Sequence, residues 1–128
     1  MNNKCLENTN LLLVEDSIDS SRIVKIFAEM AGAHIDCFED AQGALDALKS
    51  ETRQYDLVMS DLSLQNMDGY SFCSEAKKNS NYTDIPFIAL SGHENIDGKS
   101  ESHGFISHLQ KPFDPNKLIK EIYNLTRQ

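Results

Sequence analysis

Several apolar runs of the sequence end at or next to a residue whose side chain could take part in chemistry. These residues are Glu15 and Asp16 after the run Leu11–Val14, Asp61 after Leu57–Met59, Ser91 after Pro86–Leu90, and Lys111 after Phe105–Leu109. Carboxylates, a hydroxyl and an amine can bind a cation, act as a nucleophile or neutralise developing negative charge. Each could equally be an ordinary turn residue, because Asp and Ser are common in loops and helix caps. Their arrangement in the fold therefore decides between the two interpretations.

The acidic members of this set would need a counter-charge if the fold brought them together. Two carboxylates about 4 Å apart repel by roughly 1 kcal/mol in water and roughly 4 kcal/mol at an effective dielectric of 20. A cation or a raised carboxyl pKa relieves that repulsion. A site of oxygen ligands without His or Cys favours Mg²⁺ or Mn²⁺ over zinc. Glu15, Asp16 and Asp61 are thus candidate ligands of a divalent cation.

The elements that must position these groups alternate between strand and helix. The sequence predicts five strands, over 11–14, 33–38, 55–60, 86–90 and 105–109. A helix is predicted after each of them. Such alternation predicts an α/β fold in which a parallel sheet is doubly wound, with helices on both faces. The carboxyl ends of parallel strands share one edge, which is where ligands gather. The candidate residues are therefore expected to meet there.

The helices differ in how clearly the sequence marks them. Asp40 and Asp114 are predicted caps, with Pro115 in the first turn of the last helix. The first helix is expected to begin at Asp19 or Ser20 and to bury one apolar face, consisting of Ile23, Ile26, Phe27 and Met30. The second and third are expected to bury Ala41, Ala44, Leu45 and Leu48, and Phe72, Cys73 and Ala76, respectively. The segment 93–103 is expected to be short or irregular, since it offers few apolar residues and contains Gly98.

Length and composition limit the classes of function. The chain of 128 residues suits one domain, predicted over residues 10–128 after a flexible segment 1–9. A net charge of −8 argues against direct contact with nucleic acid or an anionic membrane. Three widely spaced cysteines predict reduced thiols rather than disulfides. No apolar run reaches membrane-spanning length, so a cytoplasmic location is expected.

In this order and at these strand ends, the candidate residues resemble the receiver domain of two-component response regulators, over about residues 10–126. The resemblance implies a flavodoxin-like (βα)₅ fold with strand order 2-1-3-4-5. It implies that Asp61 accepts a phosphoryl group from a phosphohistidine of a histidine kinase or phosphotransfer protein. It also implies no enzymatic activity beyond the domain's own phosphorylation and dephosphorylation.

The same resemblance assigns roles to the other candidates. Glu15 and Asp16, with Asp61 and the backbone carbonyl of Ser63, would hold Mg²⁺. Ser91 would bond the phosphoryl group and shift on activation. Lys111 would pair with a phosphoryl oxygen, and its bond to Pro112 is expected to be cis.

Three features depart from the usual pattern of the family. Gln65 stands where proline is usual, which should alter the stiffness of the loop after Asp61. His108 occupies the switch position on the fifth strand, where Tyr or Phe is common, and its titration could tune signalling. The stretch Gly92–His103 is short and polar, so dimerisation through this face is not assumed. Ser63 and His93 occupy the positions associated with phosphoryl lifetime.

Several functions remain open at this stage. The run Gly104–Pro112 favours a receiver that belongs to a hybrid sensor kinase, and the alternative is a stand-alone response regulator that acts by binding a protein. A phosphohydrolase using Asp61 would usually carry a second Asp at the position of Ser63. A flavin or nucleotide binder would need a phosphate-binding loop where the chain has the acidic run Glu15–Asp19. A scaffolding pseudo-receiver is disfavoured, because the acceptor, metal and lysine positions are all filled.

Overall fold

A five-stranded parallel sheet forms the centre of the structure, a computed structural model that describes residues 4–50, 53–92 and 103–127. In chain order, the elements are β1 (Asn10–Val14), α1 (Ile18–Met30), β2 (His34–Phe38), α2 (Ala41–Lys49), β3 (Leu57–Asp61), α3 (Gly69–Ala76), β4 (Phe87–Ser91), β5 (Ser107–Gln110) and α4 (Pro115–Thr126). The strand order is β2-β1-β3-β4-β5, as predicted. Of the segment 93–103, for which a short or irregular helix was predicted, only His103 is among the described residues. His93 lies outside them.

The two faces of the sheet bury different side chains because successive residues of a strand point to opposite sides. Leu12, Val14 and Val58 face α2 and α3, whereas Leu11, Leu13 and Met59 face α1 and α4. β1, β3 and β4 lie inside the sheet and are buried almost throughout. This double cover explains their continuous apolar runs.

Local capping places the helices much as expected, with one exception. Asp40 accepts a hydrogen bond from Gly43 N at 2.8 Å, and Asp114 caps α4 with Pro115 in its first turn. Asp68 caps α3 in the same way, through Ser71 N at 2.8 Å. The N-cap of α1 is Ser17, which accepts from Ser20 N at 3.3 Å, so the prediction of Asp19 or Ser20 was wrong. An earlier cap lets the helix begin immediately beyond the acidic end of β1.

The predicted buried face of α1 was also wrong. Ile23, Ile26 and Met30 are exposed, by 49%, 48% and 66%, whereas Val24 and Ala28 are the buried residues. Val24 and Ala28, four residues apart, form the face of α1 that packs on the sheet, and the larger side chains are turned outward. Cys37 is exposed on the edge strand β2. The faces expected for α2 and α3 are buried, as predicted.

Residues before β1 pack against the domain. Leu6 is fully buried, and its backbone N–H donates to the carbonyl of Ala31 at 2.8 Å. Arg127, just after α4, donates from Nη2 to the carbonyls of Cys5 and Glu7 and to Thr9 Oγ1, at 3.2, 3.0 and 2.9 Å. The boundary at residue 10 stays a prediction, although the buried core reaches back to Leu6.

Candidate functional site

Three carboxylates meet at the carboxyl edge of the sheet. Asp61 is the last residue of β3, and Glu15 and Asp16 directly follow β1, the neighbouring strand. One carboxylate oxygen of each residue lies within 4.8 Å of the other two. Glu15 and Asp61 are buried, whereas Asp16 is exposed, so the cluster opens to solvent on the side of Asp16. The strand ends thus bring together the acidic residues that the sequence singled out.

Lys111 supplies a positive charge to this cluster. Its Nζ donates to Glu15 Oε1 and, at 3.3 Å, to Asp61 Oδ2. The backbone N–H of Lys111 donates to the carbonyl of Ser91 at 2.6 Å, which fastens the residue to the end of β4. The peptide bond between Lys111 and Pro112 is cis. Lys111 therefore bridges two carboxylates that come from different strands.

The ionisation of this pair follows from burial and contact. Burial raises the pKa of Glu15, and the hydrogen bond from Lys111 offsets only part of that rise. Burial would lower the pKa of Lys111, but its hydrogen bond to Glu15 and the charges of Glu15 and Asp61 raise it overall. The ammonium form of Lys111 is accordingly retained at neutral pH, where it compensates the acidic cluster.

Backbone N–H groups orient both buried carboxylates. Ser63 N donates to Asp61 Oδ1, and Ser17 N donates to Glu15 Oε2, each at 3.2 Å. Each donor lies two residues after its acceptor, so the turn that follows each strand also holds the carboxylate. Oδ1 and Oδ2 of Asp61 thus have different environments, a backbone donor on one and an ammonium group on the other.

Two contacts to the backbone of Asp61 were not recognised from the sequence. Ser60 Oγ donates to the carbonyl oxygen of Asp61 at 2.8 Å, and Ser60 is fully buried. Gly69 approaches the same carbonyl so closely that a Cβ atom there would lie 2.3 Å from the oxygen. In the sequence, Gly69 follows Asn66 and Asp68, a pattern that indicates only a turn. The signal that could have found it is a glycine directly after the helix cap Asp68.

The remaining candidates lie around this centre. Ser91 is 2% exposed at the end of β4, and Ser63 is exposed in the loop after Asp61. His108 is half-buried on β5, the other edge strand, where it pairs with Ala89. Gln65 is exposed in the loop after β3. Their functional roles remain proposals.

A cavity of about 320 Å³ adjoins the cluster between α1 and the start of α4. Glu15 and Lys111 form its wall on the side of the site, and Phe113 and Ile23 contribute apolar surface. The acidic centre thus borders a partly apolar cavity.

The residues present fit a hard divalent cation. The ligand atoms available are carboxylate oxygens, which Mg²⁺ and Mn²⁺ prefer. Cys5, Cys37 and Cys73 all lie outside the cluster. Asp16 is exposed to solvent, which suits Mg²⁺ because this ion usually keeps several of its waters. Glu15, Asp16 and Asp61 are the residues that would hold it.

The sequence profile of the response regulator receiver domain matches residues 11–123. The chain belongs to this family. It is the receiver domain of a two-component system, and the fold predicted from that resemblance is confirmed. Receiver domains interact with histidine kinases or phosphotransfer partners and bind Mg²⁺ in an acidic site.

Individual relatives come from different kinds of protein. The DNA-binding dual master transcriptional regulator RpaA of Synechocystis is 31% identical over 124 residues, covering 92% of this chain and 49% of RpaA. The peroxide stress-activated histidine kinase mak1 of Schizosaccharomyces pombe is 30% identical, covering 93% of this chain and 8% of mak1. This receiver domain spans about half the length, or much less, of these curated relatives.

A solved structure resembles the whole described fold. The receiver domain of the sensor histidine kinase PA1611 from Pseudomonas aeruginosa has magnesium coordinated in its active-site cleft. It is 25% identical to this chain with a TM-score of 0.83, and the match covers 94% of this chain and 98% of that one. Among the described residues, no helix has the length and apolar character needed to cross a membrane.

Proposed function

We propose that Asp61 accepts a phosphoryl group from a phosphohistidine, so that the domain works as a phosphorylation-controlled switch or relay. The observation that carries this proposal is the position of Asp61 at the end of β3, within 4.8 Å of Glu15 and Asp16 and in contact with Lys111. A carboxylate held beside an ammonium group and two further carboxylates suits nucleophilic attack on phosphorus with a divalent cation present.

The transfer forms one bond and breaks one. A carboxylate oxygen of Asp61 forms a bond to phosphorus, the bond between phosphorus and the donor's imidazole nitrogen breaks, and the nitrogen keeps the electron pair. Lys111 would neutralise an equatorial phosphoryl oxygen, a role supported by the 3.3 Å between its Nζ and Asp61 Oδ2. Mg²⁺ or Mn²⁺, held by the three carboxylates and the carbonyl of Ser63, would supply the remaining charge neutralisation.

Ser91 and His108 are the residues proposed to transmit the new charge. Ser91 lies buried at the end of β4, where its hydroxyl could hydrogen-bond an acceptor oxygen of the acyl phosphate. His108 lies on β5, the next strand, and a shift of the neighbouring strand end would alter its surroundings. Ser91 lies on β4, the strand next to β3, and His108 lies on the edge strand β5, so both are on the same side of Asp61.

The donor is proposed to be a histidine kinase or a histidine phosphotransfer protein, and the downstream partner a protein rather than nucleic acid. The run Gly104–Pro112 and the similarity to mak1 and to the PA1611 receiver support a receiver that belongs to a hybrid sensor kinase. A stand-alone response regulator that acts by binding a protein is the second candidate. The net charge of −8 supports a basic rather than an acidic partner surface in either case.

Intact-mass spectrometry tests the acceptor role directly. The protein is incubated with acetyl phosphate or with phosphoramidate, whose phosphorus–nitrogen bond resembles that of phosphohistidine, with Mg²⁺ or with excess EDTA. We expect one phosphoryl adduct that requires Mg²⁺ and that is lost in Asp61→Asn. Asp46→Asn is the matched control, because Asp46 is exposed on α2. An adduct that persists in Asp61→Asn, or that forms equally well in EDTA, contradicts the proposal.

A further inference from the structure

The outward face of α1 carries an exposed apolar surface that the described part of the chain does not cover. Ile23, Ile26 and Met30, here called the α1 stripe, are each about half exposed or more, and Ile18 near the start of the helix is 58% exposed. Large apolar side chains exposed together are uncommon on soluble monomers and mark contact surfaces. The buried residues of the same helix, Val24 and Ala28, face the sheet instead.

The α1 stripe has the spacing of a helix-pairing seam. Ile23 and Met30 are seven residues apart, and Ile26 lies three after the first, so the three side chains follow one line along the helix. Positions spaced by three, four and seven residues are the ones that pack in paired helices. The stripe is therefore suited to a second helix lying along α1.

Two opposite charges flank this seam at matching positions. Arg22 and Glu29 are also seven residues apart, both are exposed, and both lie on the same side of the α1 stripe. In an antiparallel helix pair, flanking residues of this type contact each other across the seam. With the apolar layers in register, Arg22 would face the partner's Glu29, and Glu29 would face the partner's Arg22. The charges at these two positions are thus complementary to those of a second, antiparallel α1.

We propose that α1 is a self-association surface on which a second copy of this chain binds, with the two α1 helices antiparallel. Ile23 packs against the partner's Ile26, and Ile26 packs against the partner's Ile23. Two reciprocal ion pairs between Arg22 and Glu29 flank this apolar centre. The contact is isologous, so it closes as a dimer and does not propagate into a filament.

The association is weak and reversible. A contact of about three helical turns lies at the low end of specific interfaces, below roughly 1,200 Å², where transient complexes are found. Exposed ion pairs add orientation more than affinity. We therefore expect a dissociation constant of about 10 µM to about 1 mM. Effective concentrations of this size arise where other domains of a protein hold two copies of a chain close together.

The proposal goes beyond the phosphoacceptor function, and its test is separable from it. Arg22, Ile26 and Glu29 lie outside the acidic centre and do not line the cavity beside Lys111. Phosphorylation of Asp61 by acetyl phosphate is therefore expected to be unchanged in the variants used below. A failure of self-association leaves that reaction intact, and a failure of phosphorylation leaves the dimer intact.

Sedimentation equilibrium on the full chain, from about 10 µM to about 1 mM, measures the association. We expect a monomer–dimer equilibrium that Ile26→Lys weakens at least tenfold, because two added cations would meet at the centre of the seam. Ile26 is half exposed, so this substitution leaves the core intact. A strictly monomeric wild-type protein over this range, or a dimer that Ile26→Lys does not weaken, overturns the proposal.

A charge exchange tests the antiparallel register. Arg22→Glu and Glu29→Arg should each weaken self-association several-fold, because each places like charges opposite one another. An equimolar mixture of the two single variants should form a heterodimer at least as tight as the wild-type dimer, since every flanking pair is then opposite in sign. Lys25→Glu is the matched control, because it reverses a charge on the same helix away from the seam. A mixture that associates no better than the single variants overturns this arrangement.

Discussion

Gly69 lies directly against the backbone of Asp61, although eight residues separate them in sequence. A Cβ atom on Gly69 would lie 2.3 Å from the carbonyl oxygen of Asp61 and 2.7 Å from the Cα atom of Leu62. The N–H of Gly69 also donates to the carbonyl of Leu62 at 2.9 Å. The start of α3 and the loop after β3 therefore hold each other in place directly beside Asp61.

Gly69→Ala should destabilise the domain and slow phosphorylation of Asp61. The added methyl group meets backbone atoms that no side-chain rotation can move, so we expect a loss of about 2–3 kcal/mol in the free energy of unfolding. Urea denaturation measures the loss, and the mass assay with acetyl phosphate measures the rate. Gly92→Ala is the control for stability, because no atom of the described residues lies within 4 Å of the Cβ position there. Equal stability of the two variants would contradict the close approach.

Glu15→Gln should change how stability depends on pH. Burial raises the pKa of Glu15 above its ordinary value of 4.5, so the folded protein binds its proton more tightly than the unfolded chain does. The contribution of Glu15 to stability is therefore lost as the pH rises from about 4.5 through the raised pKa. A neutral Gln avoids this loss. Relative to wild type, the variant should gain stability over that interval and keep the gain at neutral pH.

Chemical denaturation of both proteins at several pH values, without divalent cations, checks this expectation. Asp46→Asn, on the exposed side of α2, provides the baseline for removing an acidic charge. A wild-type protein that gains stability over Glu15→Gln as the pH rises above 4.5 would show that the contact with Lys111 outweighs burial.

Arg127→Ala should release the segment before β1. Removing three donated hydrogen bonds from an exposed side chain should lower stability by about 1 kcal/mol. The effect should be concentrated at the N-terminal turn, where the amide of Leu6 should exchange faster with solvent deuterium. Hydrogen exchange followed by NMR measures this, and Lys117→Ala, which removes an exposed cation from α4, should leave the Leu6 amide unchanged.

Val24→Ala should cost more stability than Ile26→Ala, although the deletion is smaller. Val24 packs against the sheet and is only 3% exposed, whereas Ile26 is 48% exposed. We expect a loss of about 2 kcal/mol for the buried residue and less than about 0.5 kcal/mol for the exposed one, measured by denaturation at low micromolar concentration. The reverse order would mean that α1 is rotated so that its larger residues face the core.

The fold was predictable from the sequence because it follows from local patterns. Continuous apolar runs identify strands that are covered on both faces, and caps such as Asp40 and Asp114 locate the starts of helices. Parallel strands place their carboxyl ends on one edge, so the meeting of Glu15, Asp16 and Asp61 also followed from the pattern. The sequence shows a proline after Lys111 and a glycine after Asp68. Their structural roles follow only from the residues that contact them in the fold.

The orientation of α1 was not predictable in the same way. Periodicity finds an apolar stripe, but it does not distinguish a face that packs on the sheet from one that remains available to a partner. Here Val24 and Ala28 pack on the sheet, and Ile23, Ile26 and Met30 remain exposed.

By itself, the sequence determined the α/β class, the strand order through the family resemblance, and the set of residues at the acidic edge, because these depend on hydrophobic pattern and residue type. Only the tertiary structure decided that Lys111 reaches both Glu15 and Asp61, that Gly69 supports the backbone of Asp61, and which face of α1 is buried. Such contacts depend on how elements distant in the chain approach one another. The spatial approach of such elements is set by the packing of the whole core, and no local sequence pattern encodes it.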